Sequence, residues 1–209
     1  MLAMALSNGY LTRRFPFRLA AGSVALFLAA AASGCGRPFN VKTQPTLPPA
    51  SYAAKATVDG VSVEAHAILD EDFLYDSFDA NLIAAGVLPV RVMLTNSAAE
   101  MVECKEARFE VEAHSRRFKA VNAKKAFKRL ISYYEISAYS KSGYKESFEA
   151  FSSYALELAA PLAAGQSRQG LVFFLVPAEA ARQTGLMMFI GKLNSKQPGG
   201  RSEVPLKLN

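Results

Sequence analysis

Only two cysteines, Cys35 and Cys104, and two histidines, His66 and His114, occur in this chain of 209 residues. So few cysteines exclude the disulfide scaffold that holds many small exported domains together. Cys104 has no partner at CxxC spacing and the histidines form no HExxH pattern, so a zinc site with three or four convergent ligands is not expected. The acids Asp70, Glu71, Asp72, Asp76 and Asp79 lack the Asp-x-Asp-x-Asp-Gly spacing of a calcium loop. They read instead as a helix start with a solvated face. Gly-x-Ser-x-Gly, Gly-x-Gly-x-x-Gly and Walker-type loops are missing as well. No catalytic residue, metal, cofactor or small-molecule substrate is therefore expected, and a non-catalytic protein is the leading reading. An envelope hydrolase with an unrecognised site is an alternative, because opposed carboxylates carry no signature in sequence spacing.

Long apolar runs are also lacking. The uncharged stretch from Leu19 to Ala32 is the longest candidate. It falls short of the roughly 20 apolar residues that a helical membrane span requires. Excess charge of one sign is modest. The formal charge is +6, and residues 1–34 hold Arg13, Arg14 and Arg18 with no acid, so removing three charges leaves about +3 for the remainder. That balance excludes the clustered basicity of a nucleic-acid binder.

What is present begins at the N-terminus. Arg13, Arg14 and Arg18 precede the short apolar segment, which ends in Ser33-Gly34-Cys35. A basic start, an apolar centre and small residues at a cut point make a secretory signal peptide. A cysteine placed directly after those small residues resembles the lipobox of bacterial lipoproteins. That resemblance implies cleavage between Gly34 and Cys35 and acylation of the Cys35 thiol. It implies a protein held in the cell envelope through the lipid on Cys35. Gly36, where aspartate would signal retention, resembles lipoproteins sent to the outer membrane, facing periplasm or cell surface, if the organism is Gram-negative. With Cys35 acylated, Cys104 has no intramolecular partner and reads as a buried small apolar residue.

Residues 35–55 hold Pro38, Pro45, Pro48 and Pro49 without apolar periodicity, and read as an extended tether. One domain is expected from 56 to 209. Alternation marks strands at Val61–Ala67, Val87–Asn96 and Arg108–Ala113, and further strands at Gly170–Pro177, Leu186–Ile190 and Val204–Leu208. Acids after Leu69 open a helix that Gly86 ends. Between these strands the period changes. Ala123, Ala126, Phe127, Leu130, Ile131 and Tyr134 recur at helical spacing, then Phe148, Phe151, Ala155 and Leu158. A helical hairpin at about 122–160 follows.

These strands predict a mainly β fold, a β-sandwich with the hairpin inserted. A strand ending in Asn96, followed by Gly165-Gln166-Ser167-Arg168-Gln169-Gly170, an apolar strand and Pro177, resembles exported bacterial immunoglobulin-like domains. The resemblance covers about half of the chain after the signal peptide and implies an immunoglobulin-like sandwich, without a specific activity. The expected function is a lipid-anchored binding or structural module with an envelope protein as partner. The hairpin offers a surface for it. Lys124, Lys125, Lys128 and Arg129 form a basic ridge suited to anionic lipid or a partner, and Tyr133, Tyr134, Tyr139 and Tyr144 gather near its tip.

Overall fold

The computed structural model describes residues 39–43, 52, 54–136, 140–194 and 204–208. The signal peptide, Gly34 and Cys35 therefore lie outside the described residues, as does Tyr139. The described residues form eight strands: β1 (Ala54–Val58), β2 (Val61–Ala67), β3 (Val87–Asn96), β4 (Arg108–Ala113), β5 (Arg116–Val121), β6 (Ser167–Leu175), β7 (Met187–Gly191) and β8 (Val204–Lys207). Helix α1 (Glu71–Phe78) lies between β2 and β3, while α2 (Ala123–Tyr133) and α3 (Lys141–Ser152) join β5 to β6. A single turn, α4 (Ala178–Ala181), precedes β7.

The protein is mainly β, as expected, but its strands form one sheet and not the two of a sandwich. The order is β1-β2-β3-β6-β5-β4-β7-β8, with every neighbouring pair antiparallel. Two four-stranded halves are joined by a short seam, where Ala120 pairs with Phe174 and Val121 with Phe173. At the far ends β1 approaches β8, so the sheet curls into a nearly closed, barrel-like form. The expected immunoglobulin-like sandwich missed this because β5 was not foreseen. Its sequence, Arg-Arg-Phe-Lys-Ala-Val, is too charged to alternate, yet it is the strand that links the halves.

Residues paired directly across antiparallel strands point to the same face. Val63, Ala65 and Ala67 of β2 face the inside with Leu94, Val92 and Val90 of β3, their register partners. Alternate burial along β2 follows from this. By contrast β3 is buried along most of its length on both sides. Its other face carries Pro89, paired with Phe173, and this back face is covered by helices. Phe173 stacks on Phe151 of α3 at 4.9 Å, Phe151 meets Phe127 of α2 at 5.3 Å, and Phe78 of α1 meets Phe151 at 5.6 Å. A second, aromatic core thus forms behind the sheet. Each fully buried phenylalanine contributes ~2–3 kcal/mol by area alone, and each ring pair adds about 1.

Local chemistry sets where the helices begin. The side chains of Asp70, Asn122 and Ser140 accept from the backbone N–H of Phe73 (3.1 Å), Lys125 (2.9 Å) and Gly143 (3.0 Å). Each supplies an acceptor that the first helical turn lacks. Helix α1 ends at Asp79 in the left-handed region, earlier than Gly86, and a run of turns carries the chain on to Gly86.

Candidate functional site

The helical hairpin sits on the back face of the sheet, and its first helix is two-sided. Ala126, Phe127 and Leu130 are buried, while Lys124, Lys125, Lys128 and Arg129 are exposed. The three lysines project to solvent, and among the described residues none of them takes part in an ion pair. Arg129 departs from that ridge. Its Nε donates to the carbonyl of Ala85 at 2.8 Å, beside Gly86. It therefore pins α2 to the turn that leads into β3. The ridge is brought together as the sequence implies, with three projecting cations and one tethered one.

Part of the segment read as a tether lies against this hairpin. Phe39 and Val41 are buried. The Phe39 ring meets Phe127 at 6.0 Å and Tyr134 at 5.6 Å, both edge-on. Ser147 of α3 donates its hydroxyl to the Phe39 carbonyl at 2.8 Å, and Tyr154 donates to the Lys42 carbonyl at 2.7 Å. Backbone N–H groups of Asn40 and Lys42 reach the Asp79 carboxylate and the Ser77 carbonyl. Residues 39–43 thus form a strap across α1, α2 and α3. Polar, proline-rich surroundings hid it, and the only signal was the pair of apolar residues, Phe39 and Val41, two apart.

Tyrosines rim this strap. Tyr134 accepts from the Asn81 N–H at 2.9 Å, and burial pushes its hydroxyl pKa up while that hydrogen bond pulls it down. Tyr133 packs edge-on against Tyr134 at 5.0 Å and is 45% exposed. Tyr75 of α1 lies near enough to Tyr134 to influence its hydroxyl and is 52% exposed. Tyr144 turns inward onto Phe127 at 5.4 Å. Burial likewise raises the Tyr154 hydroxyl.

A polar patch that the sequence did not announce occupies the rest of the back face. His66 and Arg91 are register partners, and Glu64 pairs with Met93, which pairs in turn with Gln169. Tyr52 donates to Gln169 Oε1 at 3.4 Å. Arg91 is buried and its guanidinium lies 5.9 Å from the Phe73 ring. Burial pulls the pKa values of His66 and Arg91 down, and the Arg91 charge lowers His66 further. Burial raises Tyr52, while nearby Arg91 acts against it. Nδ1 of His66 is buried without a hydrogen-bond partner. The patch supplies a buried cation beside a neutral imidazole, and no described hydrogen bond sets His66 against a hydroxyl or thiol nucleophile.

The remaining chemistry-bearing residues stand apart. His114 sits with Ser115 in the tight β4–β5 turn, both at positive φ, where the Gln183 amide meets its Nε2. Cys104 is buried with a thiol whose pKa burial raises. Glu71 pairs with Arg182 at 2.7 Å. Among the described residues no three His, Cys, Asp or Glu side chains converge as metal ligands would. A cleft of about 550 Å³ runs along Gly86, Arg129 and Leu175 to Glu179. Among the described residues no helix is long and apolar enough to cross a membrane.

No family model matches the chain, and no curated protein matches it. Two solved structures show a distant likeness. A presumed lipoprotein, ycdA, of Bacillus subtilis shares 12% identity at a TM-score of 0.40 over 77% of this chain. This chain spans 39% of that protein's length. A functionally unknown protein of Listeria monocytogenes shares 10% identity at a TM-score of 0.42, covering 81% of this chain and 87% of that one. At those values neither likeness carries an argument about this chain.

Proposed function

We propose that this chain is a lipid-anchored protein of the cell envelope, acting as a non-catalytic binding or structural module. The observation that carries it is the Ser33-Gly34-Cys35 junction behind a basic, then apolar, leader. The exposed basic side of α2 is the described surface that supports a binding role. Residue Gly36 supports the outer membrane as destination in a Gram-negative cell. An envelope protein is the expected partner class. The hydrolase alternative has no specific observation in its favour.

The immunoglobulin-like resemblance keeps one concrete support. Asn96 and Gly165, two of the residues that carry it, lie close together. The Asn96 side chain donates to the carbonyls of Glu100 (2.7 Å) and Leu162 (3.0 Å) and accepts from the Ala98 N–H (2.9 Å), while Gly165 N–H donates to the Asn96 carbonyl.

The test is Cys35→Ser expressed in its native type of host. Loss of the acyl mass, retention of the leader and release of the protein from the membrane fraction are expected. Unchanged membrane partitioning would overturn the proposal.

A further inference from the structure

The strap and the exposed tyrosines together bear on how an anchored domain meets its membrane. Phe39 is the first described residue, and four peptide links separate it from Cys35. A chain that short reaches about 14 Å at full extension. The fold therefore begins almost at the anchoring cysteine, whatever conformation those links take. A lipid on Cys35 holds the surface around Phe39 within that distance of the headgroups.

That surface is unusual for this domain. Three large apolar side chains are exposed among the described residues, Tyr75, Met101 and Tyr133. Two of the three, Tyr75 and Tyr133, flank Tyr134, whose ring contacts Phe39. Tyrosine combines an apolar ring with a wet hydroxyl, which suits the zone between acyl chains and water. Lys124, Lys125 and Lys128 on the outer side of α2 add positive charge that anionic headgroups attract. Charges of the other sign also face this region. Asp76 sits 4.0 Å from Lys42, Asp79 accepts from Asn40, and Asp72 and Glu135 are exposed. The aromatic pair therefore sets the contact and the lysines bias it toward anionic lipid.

Resting on the lipid-anchor reading, we infer that Tyr75 and Tyr133, with the lysine ridge of α2, form a membrane-contact footprint. The occupant is the phospholipid interface of the bilayer that carries the Cys35 acyl chain. The domain lies on that surface and is not suspended above it by a spacer.

The chain contains no tryptophan, so a single introduced indole reports without background. Tyr75→Trp, Tyr133→Trp and, as reference, Met101→Trp are made in the full acylated protein. Met101 lies beyond the Asn96 end of β3, whereas α1 and Gly86 adjoin its Val87 end, roughly 30 Å away along ten strand residues. The proteins are reconstituted into phosphatidylcholine vesicles, alone or with an equal part of phosphatidylglycerol. Headgroup-proximal brominated lipid should quench the first two about threefold or more beyond the third, as rings at interfacial depth require. Aqueous acrylamide should show the reverse order. Lys124→Gln with Lys125→Gln and Lys128→Gln should lower that quenching in the phosphatidylglycerol vesicles and leave it unchanged in phosphatidylcholine. Equal quenching at all three positions in protein whose acyl mass is intact overturns the footprint and leaves the anchor standing. Lipid protection of Tyr75→Trp that appears only with an added envelope protein also overturns it, in favour of a protein partner. Wild-type protein without acyl mass overturns the anchor and the footprint together.

Discussion

A Cβ atom placed on Gly170 would lie 2.5 Å from the Cα of Leu156. The backbone of Tyr154–Leu156 runs against β6 at this point, with Leu156 N–H donating to the Leu171 carbonyl and Leu171 N–H to the Tyr154 carbonyl. These bonds fasten the return of the helical hairpin to the sheet. Glycine is needed at 170 for close approach, and at Gly165 for a φ of +71°.

Gly170→Ala should therefore destabilise strongly, because the clash is with backbone and not with a side chain that can swing aside. A loss of about 3 kcal/mol is expected, at the upper end for added methyl groups in packed sites. Gly191→Ala has open space and should change stability by less than ~0.5 kcal/mol. Urea unfolding of both variants decides it, and equal midpoints would contradict the close approach.

Asn96 is the second fixed point of the same region. Its buried amide serves three backbone groups from two loops. Asn96→Ala therefore removes a partner from the Glu100 carbonyl and the Ala98 N–H and leaves the Leu162 carbonyl with the Val102 N–H alone. At about 1 kcal/mol for each bond, a loss of about 3 kcal/mol is expected. Amide hydrogen exchange should rise at Ala98 and at Val102, which pairs with Leu162. A variant as stable as the parent would show that those loops close without it.

These two residues also show what was legible in the sequence. The strands with clean alternation, β2, β3 and β4, and the helical period of α2 follow from local patterning, and the structure has them within a few residues. Helix α3, by contrast, ends at Ser152 and leaves Ala155, expected on its apolar stripe, in a bridge with Leu171 and Leu158 beyond the helix. Four features were hidden, each for a physical reason. Strand β5 keeps its charges because Arg117 lies over the Phe189 ring at 3.8 Å and reaches Glu112, so a strand need not look apolar there. Its turn uses His114 and Ser115 at positive φ, residues that announce no hairpin. Strand β1 was not foreseen and its first two residues, Ala54 and Lys55, were read as tether, although Asp59-Gly60 is the kind of turn pair that closes a hairpin onto β2. The polar patch at Arg91 needed register, since His66, Arg91 and Gln169 are far apart in the chain. Of the candidate site, the ridge was legible from helical period. The strap was not, because its burial depends on grooves formed by residues far downstream.

The strap makes its own prediction. Phe39→Ala removes a ring that meets both Phe127 and Tyr134, and large-to-small changes of this kind cost about 3 kcal/mol or more. Tyr154→Phe deletes only the hydroxyl bond to Lys42 and should cost about 1 kcal/mol. Thermal unfolding reads both. If Phe39→Ala leaves the melting temperature unchanged, the strap is not part of the cooperative unit.

His66 gives the fold a pH dependence above the carboxylate range. Burial and the neighbouring Arg91 lower its folded pKa beneath its ordinary value near 6.5. In the window below 6.5 the unfolded chain therefore binds the proton more readily than the folded one. Stability is full above that pH and falls as pH drops through it. Unfolding midpoints at pH 7.5 and 5.5 should differ for the parent protein, and His66→Gln should flatten the difference. A parent protein equally stable at both values would contradict this placement.

Cys104 connects the fold to the chemistry of the N-terminus. It is 1% exposed, and burial raises its pKa, so in the folded state it is both shielded and protonated. Thiolate is the reactive form, which makes this thiol inert twice over. A charged alkylating reagent should leave the native protein unmodified and react after denaturation. The number of thiols then released separates two states of Cys35. Acylated protein yields one, Cys104 alone, whereas a leader cut without lipidation yields two. Counting thiols by mass in denaturant, on protein extracted from membranes, thus tests burial and anchoring with one sample. Rapid native labelling would contradict the buried position of Cys104, and a second thiol would contradict the lipid on Cys35.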